Sequence, residues 1–234
     1  MSERPETRKS DVPAKGAIVQ RDRRTYAIAP HLPGGLLSKD VLLRYAALFD
    51  RYDVKAMKIT GAQRIAIIGF EEDQLDRVWS ELGMKPGAAI GLCVRSVEMC
   101  PGTTFCKLGQ QDSMAVGLKL DEKYHGMELP GKFKIAVCGC PMNCAAAPTR
   151  DVGVQGNPRG WKILVGGCLG PRPRLGRELC LAGSDEEALR LVDRIVTSFR
   201  AGARPRERLG RMIDRVGWDA FRDAALGSDT ALRA

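Results

Sequence analysis

The stretch Gly139-Cys140-Pro141-Met142-Asn143-Cys144 follows an earlier stretch, Cys100-Pro101-Gly102-Thr103-Thr104-Phe105-Cys106. Together they place four thiols on two short loops, and four thiolates are the ligand set of a cubane iron–sulfur cluster. A tetrahedral zinc site is an alternative, although zinc knuckles use two to four intervening residues and the first loop has five. A second alternative is that the cysteines are small core residues without a ligand.

Composition predicts an ordinary globular protein of two lobes. The chain has 234 residues, of which 44% are hydrophobic and 28% charged. Its start, Met1 to Lys15, is polar and lacks the apolar segment of a secretory signal, so we expect a cytoplasmic protein. The longest apolar run, Ile65 to Phe70, is too short to span a membrane. In the reducing cytosol, eight cysteines favour metal or redox chemistry over disulfides.

The net charge of +9 fits several partners, namely nucleic acid, an acidic protein or an anionic ligand. The sequence contains no basic run interleaved with aromatic residues, so nucleic-acid binding is not expected. Surface arginines without a specific role would account for the charge equally well.

Hydrophobic periodicity predicts an α+β first lobe. Ser38 is an expected N-cap, and Gly83 is expected to end a helix. Pro86-Gly87 is the expected lobe boundary. The elements expected before it are a strand at 25–29, a helix at 39–52, strands at 54–60 and 64–69, and a helix at 75–82.

In the second lobe, a strand is predicted over Lys132 to Cys138 and leads directly into the second cysteine loop. Side chains alternate along a strand, so Lys132 and Lys134 share one face while Phe133 lies on the other. Solvated lysines on an exposed face would show the same pattern. The other expected elements are a helix at 110–124, a hairpin at 151–166, a helix capped by Ser184, and short helices at 206–216 and 218–226.

The two cysteine motifs resemble the signature of the sirohaem and [4Fe–4S] sulfite and nitrite reductases, and the chain is most similar to the low-molecular-weight, assimilatory-type sulfite reductases. The similarity runs from about Gly16 to Arg215. Further matching stretches are Lys58-Ile59-Thr60-Gly61-Ala62-Gln63-Arg64, Leu129-Pro130-Gly131-Lys132-Phe133-Lys134, and Asp151-Val152-Gly153 leading to Leu164-Val165-Gly166-Gly167.

The resemblance implies an α+β fold in which a ferredoxin-like half lobe precedes a mixed α/β lobe that binds sirohaem and the cluster, followed by C-terminal helices. The expected parts are a flexible N-terminal arm (1–16), the half domain (17–86), the [4Fe–4S]–sirohaem domain (87–202) and a C-terminal helical extension (203–234).

The resemblance also implies roles for individual residues. Cys100, Cys106, Cys140 and Cys144 would bind the cluster, and Cys144 would share its thiolate with the sirohaem iron. The expected substrate contacts are Arg95, Lys132 and Lys134. The expected sirohaem contacts are Lys58, Thr60, Gln63, Arg64, Lys107, Asn143, Arg172 and Arg174.

The function expected from this resemblance is six-electron reduction of sulfite to sulfide. Nitrite reduction to ammonia and a non-catalytic electron carrier or sensor are the alternatives. No dinucleotide-binding glycine pattern follows a strand, so an external acidic ferredoxin- or flavodoxin-like donor is expected. The larger reductases of the family carry two copies of the lobe-plus-cluster unit, whereas this chain has one. Both a monomer and a homodimer are compatible with that difference.

Overall fold

The structure is a computed structural model that describes residues 9–227. The chain divides between Gly91 and Leu92 into two compact units. Of the arm expected over residues 1–16, residues 1–8 lie outside the described part, while residues 9–16 are structured on the first unit. There the Lys15 carbonyl accepts the indole N–H of Trp79 at 2.8 Å. No helix in the range 9–227 is both long and apolar enough to cross a membrane.

The first unit extends past the boundary expected at Pro86-Gly87. The reason is hydrogen bonding, because the Gly87 N–H donates to the Ala29 carbonyl at 2.8 Å. The Arg64 guanidinium in turn donates to the Gly87 carbonyl. Both contacts tie this segment to the first unit.

A four-stranded antiparallel sheet and two helices form the first unit, with strand order β1-β2-β4-β3. Ser38 caps α1 by accepting the Val41 N–H at 3.2 Å, and Gly83 ends α2 in the left-handed conformation, as predicted. The elements are β1 (Ala17–Val19), β2 (Tyr26–Ile28), α1 (Lys39–Arg51), β3 (Ala56–Ile59), β4 (Ile65–Phe70) and α2 (Leu75–Leu82).

The second unit is built on a five-stranded sheet of order β5-β6-β7-β8-β9. Strand β6 pairs in parallel with both β5 and β7, whereas β8 pairs antiparallel with both β7 and β9. Its elements are β5 (Glu98–Met99), α3 (Gly102–Phe105), α4 (Ser113–Tyr124), β6 (Ile135–Cys138), β7 (Val152–Asn157), β8 (Gly160–Val165), β9 (Arg177–Ala182), α5 (Asp185–Gly202), α6 (Leu209–Val216) and α7 (Trp218–Leu226).

The α+β class is therefore confirmed, and two of the boundaries that differ from the prediction have a clear physical reason. The strand expected over 132–138 is regular only in β6, because before Ile135 the pairing is reduced to a single bridge between Phe133 and Val94. The helix expected from residue 110 begins at Ser113, because the Asp112 carboxylate caps it by accepting the Ala115 N–H at 3.0 Å.

One continuous hydrophobic core lies between the sheet and helices of the second unit. The Phe133 and Phe199 rings lie 4.9 Å apart at its centre. Leu209 of α6 and Phe221 of α7 are buried in the same core. The C-terminal helices are therefore part of this unit's packing.

Substitution Phe199→Ala should lower the free energy of unfolding by about 3–5 kcal/mol, because a fully buried ring is replaced by a cavity. Urea unfolding followed by tryptophan fluorescence would measure the change. Leu175→Ala is the control, since that side chain is 72% exposed and should change the free energy by about 0.5 kcal/mol or less. Similar losses in the two variants would contradict this description of the core.

Candidate functional site

Both cysteine loops leave the sheet at the carboxyl ends of neighbouring parallel strands. Cys100 directly follows β5, and Cys140 begins the turn after β6. Because Met99 pairs with Val137 in parallel register, the two loops emerge side by side. The carboxyl edge of a parallel sheet is a common position for binding sites. The fold thus brings to one edge the four cysteines that the sequence separates into two pairs.

Glycines allow the two loops to approach backbone to backbone. A Cβ on Gly139 would lie 2.6 Å from the Gln111 carbonyl and 2.8 Å from the Gly102 Cα. The Gly139 carbonyl accepts the N–H groups of Gln110 and Gln111 at 2.9 and 3.0 Å. A Cβ on Gly156 of the neighbouring strand would lie 2.6 Å from that same carbonyl. No larger residue fits at this contact without displacing a loop.

The structure stabilises Cys100 as a thiolate. Its pKa is lowered to about 5, chiefly by hydrogen bonding with the Cys138 thiol and further by the Gly139 N–H, which donates to the Cys100 Sγ at 3.1 Å. Bonding to Cys100 and burial both raise the pKa of Cys138. A thiolate is the form that binds iron. Cys138, outside the two motifs, therefore contributes a hydrogen bond to the candidate ligand.

The remaining three candidate ligands differ in exposure. Cys106 caps α3 and is half-buried, Cys140 is buried, and Cys144 is exposed. Asn143 adopts a left-handed conformation with φ 55°, and its side-chain amide donates to the Pro141 carbonyl at 3.0 Å. This turn leaves Cys144 as the thiol of the second loop that is accessible from outside.

This arrangement fits an iron–sulfur cluster better than a single ion. Among residues 9–227, no group of three or more His, Cys, Asp or Glu side chains is arranged to hold one metal ion, as a closed zinc site requires. Each cysteine of a cubane binds a different iron atom, so its sulfurs stand farther apart. The Cys100 thiolate is the protonation state that such a cluster needs from its ligands.

A second group of functional candidates lies at the opposite end of β6. Phe133 is buried, and the lysines on either side of it face the other way, as the predicted alternation requires. The Lys134 Nζ lies 3.5 Å from the Glu98 Oε1. Burial lowers the pKa of both Lys132 and Lys134, and the positive charge of Arg95 lowers that of Lys132 further.

Arg95 lies in the same region as Lys132 and Lys134. Its backbone N–H donates to the Phe133 carbonyl at 2.9 Å, and its guanidinium donates to the Cys93 Sγ at 3.4 Å. The structure thus brings together Arg95, Lys132 and Lys134, the three residues that the family resemblance implies as substrate contacts.

Two buried carboxylates and two arginines form ion pairs beside Lys132 and Lys134. None of these four residues was among the site residues expected from the sequence. Glu98 is 3% exposed and accepts hydrogen bonds from the Arg150 guanidinium. Asp151 is fully buried and accepts bonds from the Arg208 Nε at 2.9 Å and Nη2 at 2.7 Å. Asp151 also accepts the Lys134 backbone N–H at 2.8 Å. The one sequence signal for these four residues is the segment Asp151-Val152-Gly153, which resembles the reductase family and contains Asp151.

The second unit also contains a cavity of about 890 Å³ with a strongly cationic lining. Arg174 is paired with Asp214 at 2.5 and 3.1 Å, so part of its charge is compensated. The arginines that line the cavity are Arg172, Arg174, Arg204, Arg206, Arg208 and Arg211. Sirohaem carries many carboxylates, and planar guanidinium groups are well suited to binding them. Of these arginines, only Arg172 and Arg174 are expected sirohaem contacts from the family resemblance.

The other expected sirohaem contacts do not line this cavity. In the first unit, Lys58 is exposed on β3, and the Thr60 hydroxyl donates to the Arg64 carbonyl at 3.0 Å across a tight turn. Gln63 occupies that turn with φ 55°. Arg64 is 7% exposed and donates to the Gly87 carbonyl, so its guanidinium also supports the packing of this unit. In the second unit, Lys107 is exposed beside Cys106.

Comparison with protein families gives two matches. Residues 18–85 match the "Nitrite/Sulfite reductase ferredoxin-like half domain". Residues 90–230 match the "Nitrite and sulphite reductase 4Fe-4S domain".

Two curated relatives cover most of the chain. It is 40% identical to the assimilatory-type sulfite reductase of Nitratidesulfovibrio vulgaris over 218 residues, which is 93% of this chain and all of that protein. It is 38% identical to the nitrite reductase [NAD(P)H] of Bacillus subtilis over 201 residues, which is 86% of this chain but only 25% of that protein.

Solved structures share the fold at low sequence identity. Dissimilatory sulfite reductase I matches with a TM-score of 0.78 and 16% identity, over 90% of this chain and 71% of the other. NirA of Mycobacterium tuberculosis matches with a TM-score of 0.76 and 22% identity, over 86% of this chain and 40% of the other.

Substitution Gly139→Ala should greatly reduce the iron and acid-labile sulfide bound per chain, because the added Cβ separates the two cysteine loops. Gly183→Ala is the control, since its Cβ would meet only the Glu187 carboxylate, at an ordinary 3.6 Å. Iron and sulfide analysis after anaerobic purification would measure the effect, with circular dichroism to verify folding. Equal loading in the two variants would show that the glycine contact does not hold the site together.

Proposed function

Because this chain belongs to the nitrite and sulphite reductase family, whose members are oxidoreductases, we propose that it reduces sulfite to sulfide with six electrons. The observation that carries the choice of sulfite is the 40% identity to a sulfite reductase along that protein's entire length. Membership implies a [4Fe–4S] cluster and sirohaem as cofactors. When bound, these groups supply the redox chemistry, and the chain supplies binding, orientation and protons.

In this proposal the four cysteines of the two loops hold the cluster. Cys100 is already stabilised as a thiolate, and Cys140 is buried close to the Gly139 contact. The exposure of Cys144 supports the proposal that this cysteine would serve both the cluster and the sirohaem. Buried Cys140 at one end of the turn would then bind the cluster, and exposed Cys144 at the other end would also reach the sirohaem.

Arg95, Lys132 and Lys134 would bind the anion and provide protons. Arginine stays protonated and suits a fixed anion contact. The lowered pKa of each lysine makes its ammonium a better proton donor than an ordinary surface lysine. Forming hydrosulfide and three waters from sulfite consumes about seven protons, so donors that can be reprotonated from solvent are needed.

Two buried carboxylates would position these cations. Asp151 connects the Lys134 backbone to Arg208, and Glu98 connects the Lys134 ammonium to Arg150. Their negative charges also offset part of the repulsion among the clustered cations. The arginine-lined cavity, with Arg172 and Arg174, would receive carboxylates of the sirohaem. Lys58, Thr60, Gln63, Arg64, Lys107 and Asn143 remain proposed contacts of that group.

Nitrite reduction is the second candidate, and the 38% identity to a nitrite reductase favours it. Both substrates are small anions that the same cations could bind. For either substrate, we propose an acidic ferredoxin- or flavodoxin-like donor, because complementary charge accelerates encounter with a chain of net charge +9.

The anaerobically purified protein should contain four irons and four labile sulfides per chain and show sirohaem absorption bands. With reduced viologen dye it should consume sulfite with a higher kcat/KM than nitrite. A higher kcat/KM for nitrite than for sulfite would favour nitrite reduction instead. A colourless protein loaded with zinc would contradict both.

The double substitution of Lys132→Ala with Lys134→Ala should lower kcat/KM for sulfite by about ten- to hundredfold while the cofactor spectrum is kept, because charge-assisted contacts to the anion are lost. Steady-state kinetics would measure the loss. Lys119→Ala, an exposed lysine on α4, is the matched control. Unchanged kinetics in the double variant would assign both lysines to the solvent-exposed surface.

A further inference from the structure

A further cavity, of about 500 Å³, lies at the edge of the second unit's sheet and is called the edge cavity below. Strand β9 is the last strand of that sheet, and the lining comes from β8, β9, α7 and the turn between β7 and β8. None of the lining residues is a candidate cluster ligand, substrate contact or sirohaem contact, and none lines the cavity around Arg172 and Arg174. The proposed function therefore leaves this cavity without a role.

Positive charge dominates the lining of the edge cavity, which contains four cations and one carboxylate. The carboxylate, Glu178, is paired with Lys162, whose Nζ lies 2.9 Å from the Glu178 Oε2. The other three cations are the guanidinium groups of Arg159, Arg177 and Arg222. Like charges that line one cavity repel each other, and an anion bound between them relieves that repulsion.

Arg177 is oriented by stacking and not by an ion pair. Its guanidinium carbon lies 3.8 Å from the centroid of the Trp218 ring, which is a cation–π contact. Within residues 9–227, no carboxylate pairs with this guanidinium. Stacking uses the face of the guanidinium and leaves the N–H donors at its edge available for oxygen acceptors.

The side chains of Arg159 and Arg222 are weakly engaged. The Arg159 backbone N–H donates to the Asn157 Oδ1 at 2.8 Å and fixes the turn, while the exposed side chain has no carboxylate partner in the described part of the chain. The Arg222 Nη2 lies 3.4 Å from Asp219, which is 80% exposed, so solvent screens this pair. The Arg222 Nε is buried and makes no hydrogen bond to the residues described. Both side chains can turn toward a ligand without giving up a strong contact.

We propose that the edge cavity binds a small molecule through a diphosphate group. Guanidinium groups bind phosphate oxygens in bidentate geometry, and three of them line this one volume. A carboxylate has two oxygens and fills one bidentate contact, whereas two linked phosphates present separate oxygens to all three arginines. The volume lies within the range of about 300–1,000 Å³ that is typical of small-molecule sites. Free pyrophosphate and the diphosphate of a nucleotide share this chemistry.

Isothermal titration calorimetry of the anaerobically purified protein tests the proposal, with pyrophosphate and ADP as probes at constant ionic strength. We expect saturable binding of one molecule per chain. Tighter binding of ADP would identify a nucleotide as the ligand, and equal or tighter binding of pyrophosphate would identify the free diphosphate. Failure of both probes to saturate, or citrate binding as tightly as pyrophosphate, would overturn the proposal.

The double substitution of Arg177→Gln with Arg222→Gln tests the location of the site. It should raise the Kd of pyrophosphate by about ten- to hundredfold, because charge-assisted hydrogen bonds are lost. Arg190→Gln with Arg200→Gln is the control, since both arginines are exposed on α5 and the net charge changes equally. An unchanged Kd in the first variant, or equal weakening in the two, would overturn the proposal.

Arg159→Gln is an independent variant, because this exposed side chain lies on a turn and its loss leaves the packing of β9 and α7 intact. It should raise the Kd of pyrophosphate by about fivefold or more, since one charge-assisted contact is lost. Circular dichroism would verify the fold of every variant. A wild-type Kd in folded Arg159→Gln would contradict the site. Binding is measured without turnover, so the result does not depend on the proposed function.

Discussion

Parallel pairing of β5 with β6 is the constraint on which the rest of the second unit depends. It places Cys100 and Cys138 side by side and directs both cysteine loops to one edge of the sheet. The loops can then make contact only because Gly139 lacks a side chain, since a Cβ there would lie 2.8 Å from the Gly102 Cα. The Gly139 carbonyl accepts the N–H groups of Gln110 and Gln111 at this contact, and the Gly139 N–H donates to the Cys100 Sγ. The residue at which the loops meet therefore also stabilises a thiolate at Cys100.

Buried ion pairs lie at the other end of β6, beside Lys132 and Lys134. Removing one member of a buried ion pair usually costs about 3–5 kcal/mol, because its partner keeps an uncompensated charge. Asp151 and Glu98 are both subject to this penalty, and each holds an arginine beside the lysines. Glu98 also lies 3.5 Å from the Lys134 Nζ, so it holds that ammonium near Arg150. The proximity and burial of the cations keep the pKa of Lys132 and Lys134 low.

Local patterns predicted the local structure well. The cap at Ser38, the end of α2 at Gly83 and the alternation around Phe133 each depend on a few neighbouring residues. The site needed contacts between residues far apart in sequence, such as Arg150 with Glu98 and Arg208 with Asp151. Periodicity carries no information about such pairs. The two-residue strand β5 was missed for the same reason, since its identity as a strand comes from pairing with β6.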